Sequence, residues 1–238
     1  MERKKLIAAN WKMNPPPSGW DAPDSPYRPH PSVDVVVCPP FLWLRECIGE
    51  ELVVGAQCGH PEAKGTHTGC VSMAMLAEEG CAYVICGHSD RRREQKETNA
   101  DVVAQAKAAL KATLIPIVCI GETREERQTG KAKDVVSAQL KDLPEGIVLA
   151  YEPVWAISNG DPSTPAATSA DAQEMHAFIR SQLPKSAQET TRILYGGSMK
   201  PENAAELLAQ PDIDGGLVGN ASLSPKDFGE IVNIAAKK

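Results

Sequence analysis

Three side chains of complementary chemistry stand at the ends of short apolar runs. They are Lys12 in Asn10-Trp11-Lys12, His88 in Cys86-Gly87-His88-Ser89, and Glu152 directly after Gly146-Ile147-Val148-Leu149-Ala150-Tyr151. A cation, an imidazole that titrates near neutrality and a carboxylate are the groups needed to remove a proton beside a carbonyl and to stabilise the enediolate that results. Singly, each is bland. A strand-end glutamate usually faces water, and a lone histidine more often makes a structural hydrogen bond than a catalytic one. The chemistry therefore depends on whether the elements carrying these residues converge.

Eight apolar runs read as strands: Leu6–Trp11, Val33–Cys38, Leu52–Ala56, Ala82–Cys86, Leu114–Ile120, Ile147–Tyr151, Arg192–Tyr195 and Gly215–Val218. Several of the intervals show helical spacing, as in Val102, Val103, Ala106 and Leu110, in Val135, Val136, Leu140 and Leu143, and in Met175, Phe178, Ile179 and Leu183. Thr98-x-x-Asp101, Thr168-x-x-Asp171 and Ser224-Pro225-x-Asp227 each offer a capping side chain with an acid three residues on. Strands alternating with helices pair in parallel, and eight such units predict an α/β fold closed into a (β/α)8 TIM barrel, one domain over residues 1–238. An open doubly wound sheet is the alternative, but no Gly-x-Gly-x-x-Gly follows the first strand.

In a barrel, Lys12, His88 and Glu152 face the same mouth, at the C-terminal ends of the strands. Tyr195-Gly196-Gly197-Ser198 and Val218-Gly219-Asn220-Ala221-Ser222 follow the seventh and eighth strands, where barrels commonly bind phosphate through backbone N–H groups. A phosphorylated substrate follows from that placement. One interval breaks the pattern: Asn14–Ser32 holds seven prolines, which leave no room for an ordinary first helix. An irregular or polyproline-like cover is expected there, with Trp20 and Tyr27 shielding the barrel in the helix's place.

A formal charge of −6 and a pI near 5.5 supply no basic stripe, which argues against nucleic acid and anionic membrane surfaces as partners. The seven cysteines are odd in number and several sit in strand-like runs, as expected of reduced, mostly buried thiols. No stretch approaches a membrane span, so a cytoplasmic protein is expected. Cys58, His60, His67 and Cys70 fall within thirteen residues, yet their spacing matches none of the usual zinc patterns, and neither metal nor organic cofactor is expected.

The chain resembles the triosephosphate isomerase family over almost its whole length. The resemblance rests on Ala9-Asn10-Trp11-Lys12-Met13-Asn14, Cys38-Pro39-Pro40-Phe41, Gly55-Ala56-Gln57, Thr68-Gly69, Cys86-Gly87-His88-Ser89, Cys119-Ile120-Gly121-Glu122, Ala150 to Ile157 and Tyr195-Gly196-Gly197-Ser198. It implies that Glu152 moves the proton between dihydroxyacetone phosphate and glyceraldehyde 3-phosphate, that a neutral His88 polarises the carbonyl, and that Lys12 and Asn10 hold substrate and developing charge. It implies further that Ser158, Ser198, Gly219 and Asn220 bind substrate, that Asp90 and Thr68 support the site, and that residues from Pro153 to about Thr164 form a lid. The Cys58–Cys70 loop would insert into a second copy, with Thr68 reaching the neighbour's Asn10, to give a homodimer acting on a small triose phosphate.

Some residues depart from the family pattern. Ser158-Asn159-Gly160-Asp161 replaces glycine-threonine-glycine-lysine in the lid and puts an anion where a cation is usual, which predicts weaker closure over a phosphate. Asn220 replaces a glycine, and tolerance of positive φ by asparagine is expected to preserve its N–H for the ligand. Asp90 is one methylene shorter than the usual glutamate beside Lys12, Cys70 replaces a glutamate, and Arg93-Glu94-Gln95-Lys96 is unusual at its place. Two other readings stand beside the isomerase: a barrel enzyme for another sugar phosphate, and a catalytically weakened homologue that binds a ligand or partner.

Overall fold

The computed structural model describes residues 3–156 and 167–237. Eight strands form one parallel sheet: β1 Leu6–Asn10, β2 Asp34–Cys38, β3 Gly55–Ala56, β4 Tyr83–Cys86, β5 Ile115–Ile120, β6 Val148–Tyr151, β7 Ile193–Tyr195 and β8 Gly215–Val218. Their order is β2-β1-β8-β7-β6-β5-β4-β3. The remaining edges meet through a Val37–Val54 bridge, with the Val37 N–H donating to Val53 O at 2.9 Å, so the sheet closes on itself. Each strand matches an expected apolar run, shortened by up to three residues at its ends, where backbone pairing stops before the hydrophobic pattern does.

Closure explains why the strands are apolar on both faces. Alternate side chains such as Leu6, Ala8, Val36, Ile85, Ile117 and Leu217 fill the barrel interior as one cluster. Their neighbours, among them Ile7, Val37, Val84, Val118 and Ile193, pack outward in a larger cluster shared with the helices. Ten α-helices lie among the described residues. Thr98 and Thr168 make complete capping boxes with Asp101 and Asp171, and the Ser224 side chain accepts from the Asp227 N–H ahead of a helix with proline in its first turn.

Residues 14–32 form no helix. The segment is a chain of tight turns, with backbone bonds from Trp20 to Pro17 O, Ala22 to Gly19 O, Ser25 to Ala22 O and Arg28 to Ser25 O, and not an extended polyproline run. Its aromatics are buried as a cover. Trp20 and Tyr27 pack edge-on against Trp11 at 6.1 Å and 5.4 Å, and Tyr27 stacks on Phe228 of the C-terminal helix at 4.9 Å. No helix among the described residues is long and apolar enough to cross a membrane, and all seven cysteines are free thiols.

Candidate active site

Lys12, His88 and Glu152 follow β1, β4 and β6, and the barrel brings them to one mouth. Glu152 does not face water: it is 2% exposed. Its Oε2 accepts the Ser89 N–H at 2.8 Å, and its Oε1 accepts the Ser89 hydroxyl at 3.3 Å and lies 3.0 Å from His88 Nε2. His88 caps the helix Ser89–Glu94, where its Nδ1 accepts the Asp90 N–H at 3.1 Å. A ring nitrogen that accepts from an amide carries no proton, so Nε2 carries it and the imidazole is neutral, with its N–H aimed at Glu152.

Lys12 sits in the left-handed region at φ 51°, an unusual place for a long side chain. Local bonds hold it there: its N–H donates to Asn10 Oδ1 at 3.1 Å, and its carbonyl accepts from Gln57 Nε2 at 2.8 Å. The ammonium lies 3.0 Å from Asp90 Oδ2, so the shorter acid still spans the gap. Burial pushes the Asp90 carboxyl up, but the Lys12 ammonium, which donates to it, and Arg93 act against this and hold it below its ordinary value.

Glycines make room for Glu152. A Cβ on Gly121 would fall 1.8 Å from the Glu152 carbonyl oxygen, and one on Gly196 would fall 2.8 Å from Glu152 Cγ. The turn after β8 abuts Lys12, since a Cβ on Gly219 would lie 3.6 Å from Lys12 Cε. Asn220 opens a 3-10 turn, Asn220–Leu223, and is not among the residues with positive φ, so the expected left-handed tolerance is not called on. Ser198 is half-buried after β7, and its carbonyl accepts from Asn203 Nδ2 at 2.9 Å. Ser158 and the Ser158-Asn159-Gly160-Asp161 part of the expected lid lie outside the described residues. Thr68 is exposed on the Cys58–Cys70 loop.

Sequence reasoning missed several supporting residues. Ser89, quoted only within a motif, supplies two of the donors that hold Glu152. Arg92 braces the loop below, donating to Gly87 O at 2.8 Å, Asn99 Oδ1 at 2.8 Å and Cys119 O at 3.2 Å. Glu122 is fully buried and gathers the Trp155 indole N–H at 2.8 Å and the Tyr151 hydroxyl at 3.1 Å, while Arg127 lies 4.2 Å over the Trp155 ring. Burial raises the Glu122 carboxyl, and its bonds to Trp155 and Tyr151 counter this in part. Its place two residues after the fifth apolar run, within Cys119-Ile120-Gly121-Glu122, was the available signal for it. Among the described residues, the three donors close enough to share a metal ion, His60, Glu62 and His67, lie on the Cys58–Cys70 loop and not at the mouth.

Residues 5–235 match the family model described as triosephosphate isomerase. The triosephosphate isomerase of Herpetosiphon aurantiacus is 46% identical over 250 residues, covering 97% of this chain and 98% of that protein. That of Moorella thermoacetica is 47% identical over 251 residues, covering 97% and 98% respectively. Among solved structures, triosephosphate isomerase from Bartonella henselae superposes with a TM-score of 0.86 at 38% identity, covering 97% of this chain and 98% of that one.

Proposed function

The chain belongs to the triosephosphate isomerase family and interconverts dihydroxyacetone phosphate and D-glyceraldehyde 3-phosphate, a step of glycolysis, and we propose that Glu152 is its base, His88 its electrophile and Lys12 its neighbouring cation. The observation that carries these roles is the 3.0 Å contact between Glu152 Oε1 and His88 Nε2. A substrate carbonyl that takes the Nε2–H releases one carboxylate oxygen, which then collects the proton from the adjacent carbon. Electrons flow to the carbonyl oxygen, where the neutral imidazole N–H and the Lys12 ammonium meet the developing charge. His88 gives its Nε2 proton to the former carbonyl oxygen and takes the hydroxyl proton from the neighbouring oxygen, and the protonated Glu152 returns its proton to the neighbouring carbon, so the step closes without a cofactor.

Phosphate is placed by the turns at Ser198 and at Gly219 and Asn220, with Asn10 and Lys12 at the reacting end. Pro153-Val154-Trp155 serves as one hinge of the segment that keeps water from the enediolate. The whole chain acts as one barrel domain, in the cytoplasm, and docks through its Cys58–Cys70 loop on a second copy, with Thr68 reaching the neighbour's Asn10. Sedimentation should accordingly give twice the mass of the 25.5 kDa chain. The roles are tested by a coupled assay of glyceraldehyde 3-phosphate conversion: activity far above a Glu152→Ala control is expected. Equal rates would favour the weakened homologue.

A further inference from the structure

The Cys58–Cys70 loop carries a cluster for which the isomerase chemistry has no use. His60, Glu62 and His67 each offer a ligand atom, and these atoms lie within 4.8 Å of one another. The two imidazole rings sit 4.1 Å apart with a tilt of 32°, and His67 Nε2 is 3.2 Å from Glu62 Oε2. The arrangement is held by the backbone. The His60 N–H donates to Val71 O at 2.8 Å, the His60 carbonyl accepts from Met73 N at 3.0 Å, and His60 Nδ1 accepts the Glu62 N–H at 3.1 Å. Gly65 passes over the pair so closely that a Cβ there would meet the His67 ring at 2.9 Å and Glu62 Oε2 at 3.4 Å. Glycine is therefore what lets the chain fold down on both side chains.

We propose that His60, Glu62 and His67 bind one divalent transition-metal ion of the zinc type, which staples this loop. Two imidazoles and a carboxylate suit zinc, with water completing a tetrahedron. Bonds of about 2.0–2.1 Å put tetrahedral donors roughly 3.3 Å apart, a separation the His67–Glu62 pair already has at 3.2 Å. The remaining contraction, from 4.8 Å, is asked of the side chains, Glu62 and His67 closing on His60, and it must be met with the loop seated on the second copy. His60 exchanges one bond for another. Metal at Nδ1 displaces the Glu62 amide, and metal at Nε2 moves the ring proton to Nδ1 with the same loss. Cys58 and Cys70 flank the cluster, which is why a spacing rule built on cysteine and histidine does not find it.

The test titrates Zn²⁺ into the full-length, metal-stripped protein by calorimetry, without substrate, and follows Co²⁺ as a spectroscopic stand-in. One ion per chain is expected. Affinity should fall at least about ten-fold in His60→Ala, in His67→Ala and in Glu62→Gln, and remain in Cys70→Ser. Binding that survives loss of both histidines, that follows Cys70, or that is absent from the parent protein overturns the proposal. Unchanged circular dichroism and melting of the variants confirm that each comparison is between folded chains. Activity is not the readout, so the outcome is independent of the isomerase roles.

Discussion

The Glu152 carboxylate accepts from the Ser89 N–H, the Ser89 hydroxyl and His88 Nε2, which fill most of its roughly four acceptor positions. Of these bonds, the one from His88 is the one to exchange for substrate, because its N–H has the carbonyl as its new acceptor. Glu152→Gln keeps the shape and removes the proposed base, so kcat should fall by about 10²–10⁴-fold with little change in melting, as a coupled assay and thermal unfolding will read. Asp90→Asn acts through Lys12 and not on the reacting atoms. Because the pair is about a third exposed (34% and 28%), its loss is worth about 1 kcal/mol or less, hence up to about five-fold in KM, with kcat nearly unchanged; an equal fall in kcat would contradict that role. The charged residues at strand ends were legible because a lysine, histidine or glutamate after an apolar run contradicts its surroundings. Ser89 and Gly121 were not, because what they do is set by backbone positions that only three-dimensional contacts reveal.

The element that departs most from a regular barrel, the turn-rich segment 14–32, is tied directly to the site. The Tyr27 hydroxyl donates to Ser222 O at 2.7 Å, and the Ser222 hydroxyl donates to Gly219 O at 2.7 Å, within the turn assigned to phosphate. Burial pushes the Tyr27 hydroxyl well above its ordinary pKa, so it stays a donor across the working pH range. Tyr27→Phe removes one buried bond and should cost about 1 kcal/mol of stability, with a modest rise in KM as the turn loosens. Tyr27→Ala also empties a space between Trp11 and Phe228 and should cost about 3–5 kcal/mol; denaturant unfolding separates the two. Proline density announced that no helix would form here, and the two aromatics announced a cover. The choice of tight turns over an extended run could not be read from composition, because it depends on which carbonyls the remaining N–H groups reach.

At the scale of the molecule, the mouth carries the candidate site and the opposite end carries the clamps: Arg180 pairs with Asp212 at 2.6 Å and Asp214 at 2.7 Å, and Arg3 reaches Asp214 at 2.8 Å. Between them lies His176, fully buried in the helix Ser169–Gln182 at the Tyr151 and Tyr195 rings. Its Nδ1–H donates to Ala172 O at 2.7 Å, which leaves Nε2 without a proton, and Nε2 has no hydrogen-bond partner among the described residues. Helical spacing marked that face as apolar, and a histidine within it could be recognised as core only once the packing was known. Burial, opposed in part by the Ala172 and Leu194 backbone, lowers its pKa from 6.5 to about 4. The unfolded chain therefore binds a proton as pH falls below 6.5 that the folded chain refuses until about 4. The stability of the neutral, buried ring is fully present above the unfolded value and is lost as pH falls toward the folded one, by about 3 kcal/mol for this shift. Carboxylates held low, such as Asp34, Asp90 and Asp171, lose their share only as pH falls through and below their ordinary 3.8, and Glu122, whose carboxyl is raised, works in the opposite sense. All four are common to a His176→Gln variant and cancel in the difference. Unfolding free energies of parent and variant measured from pH 7 to pH 4 should converge by about 3 kcal/mol as pH falls; parallel curves would mean that the ring takes up its proton in the folded barrel.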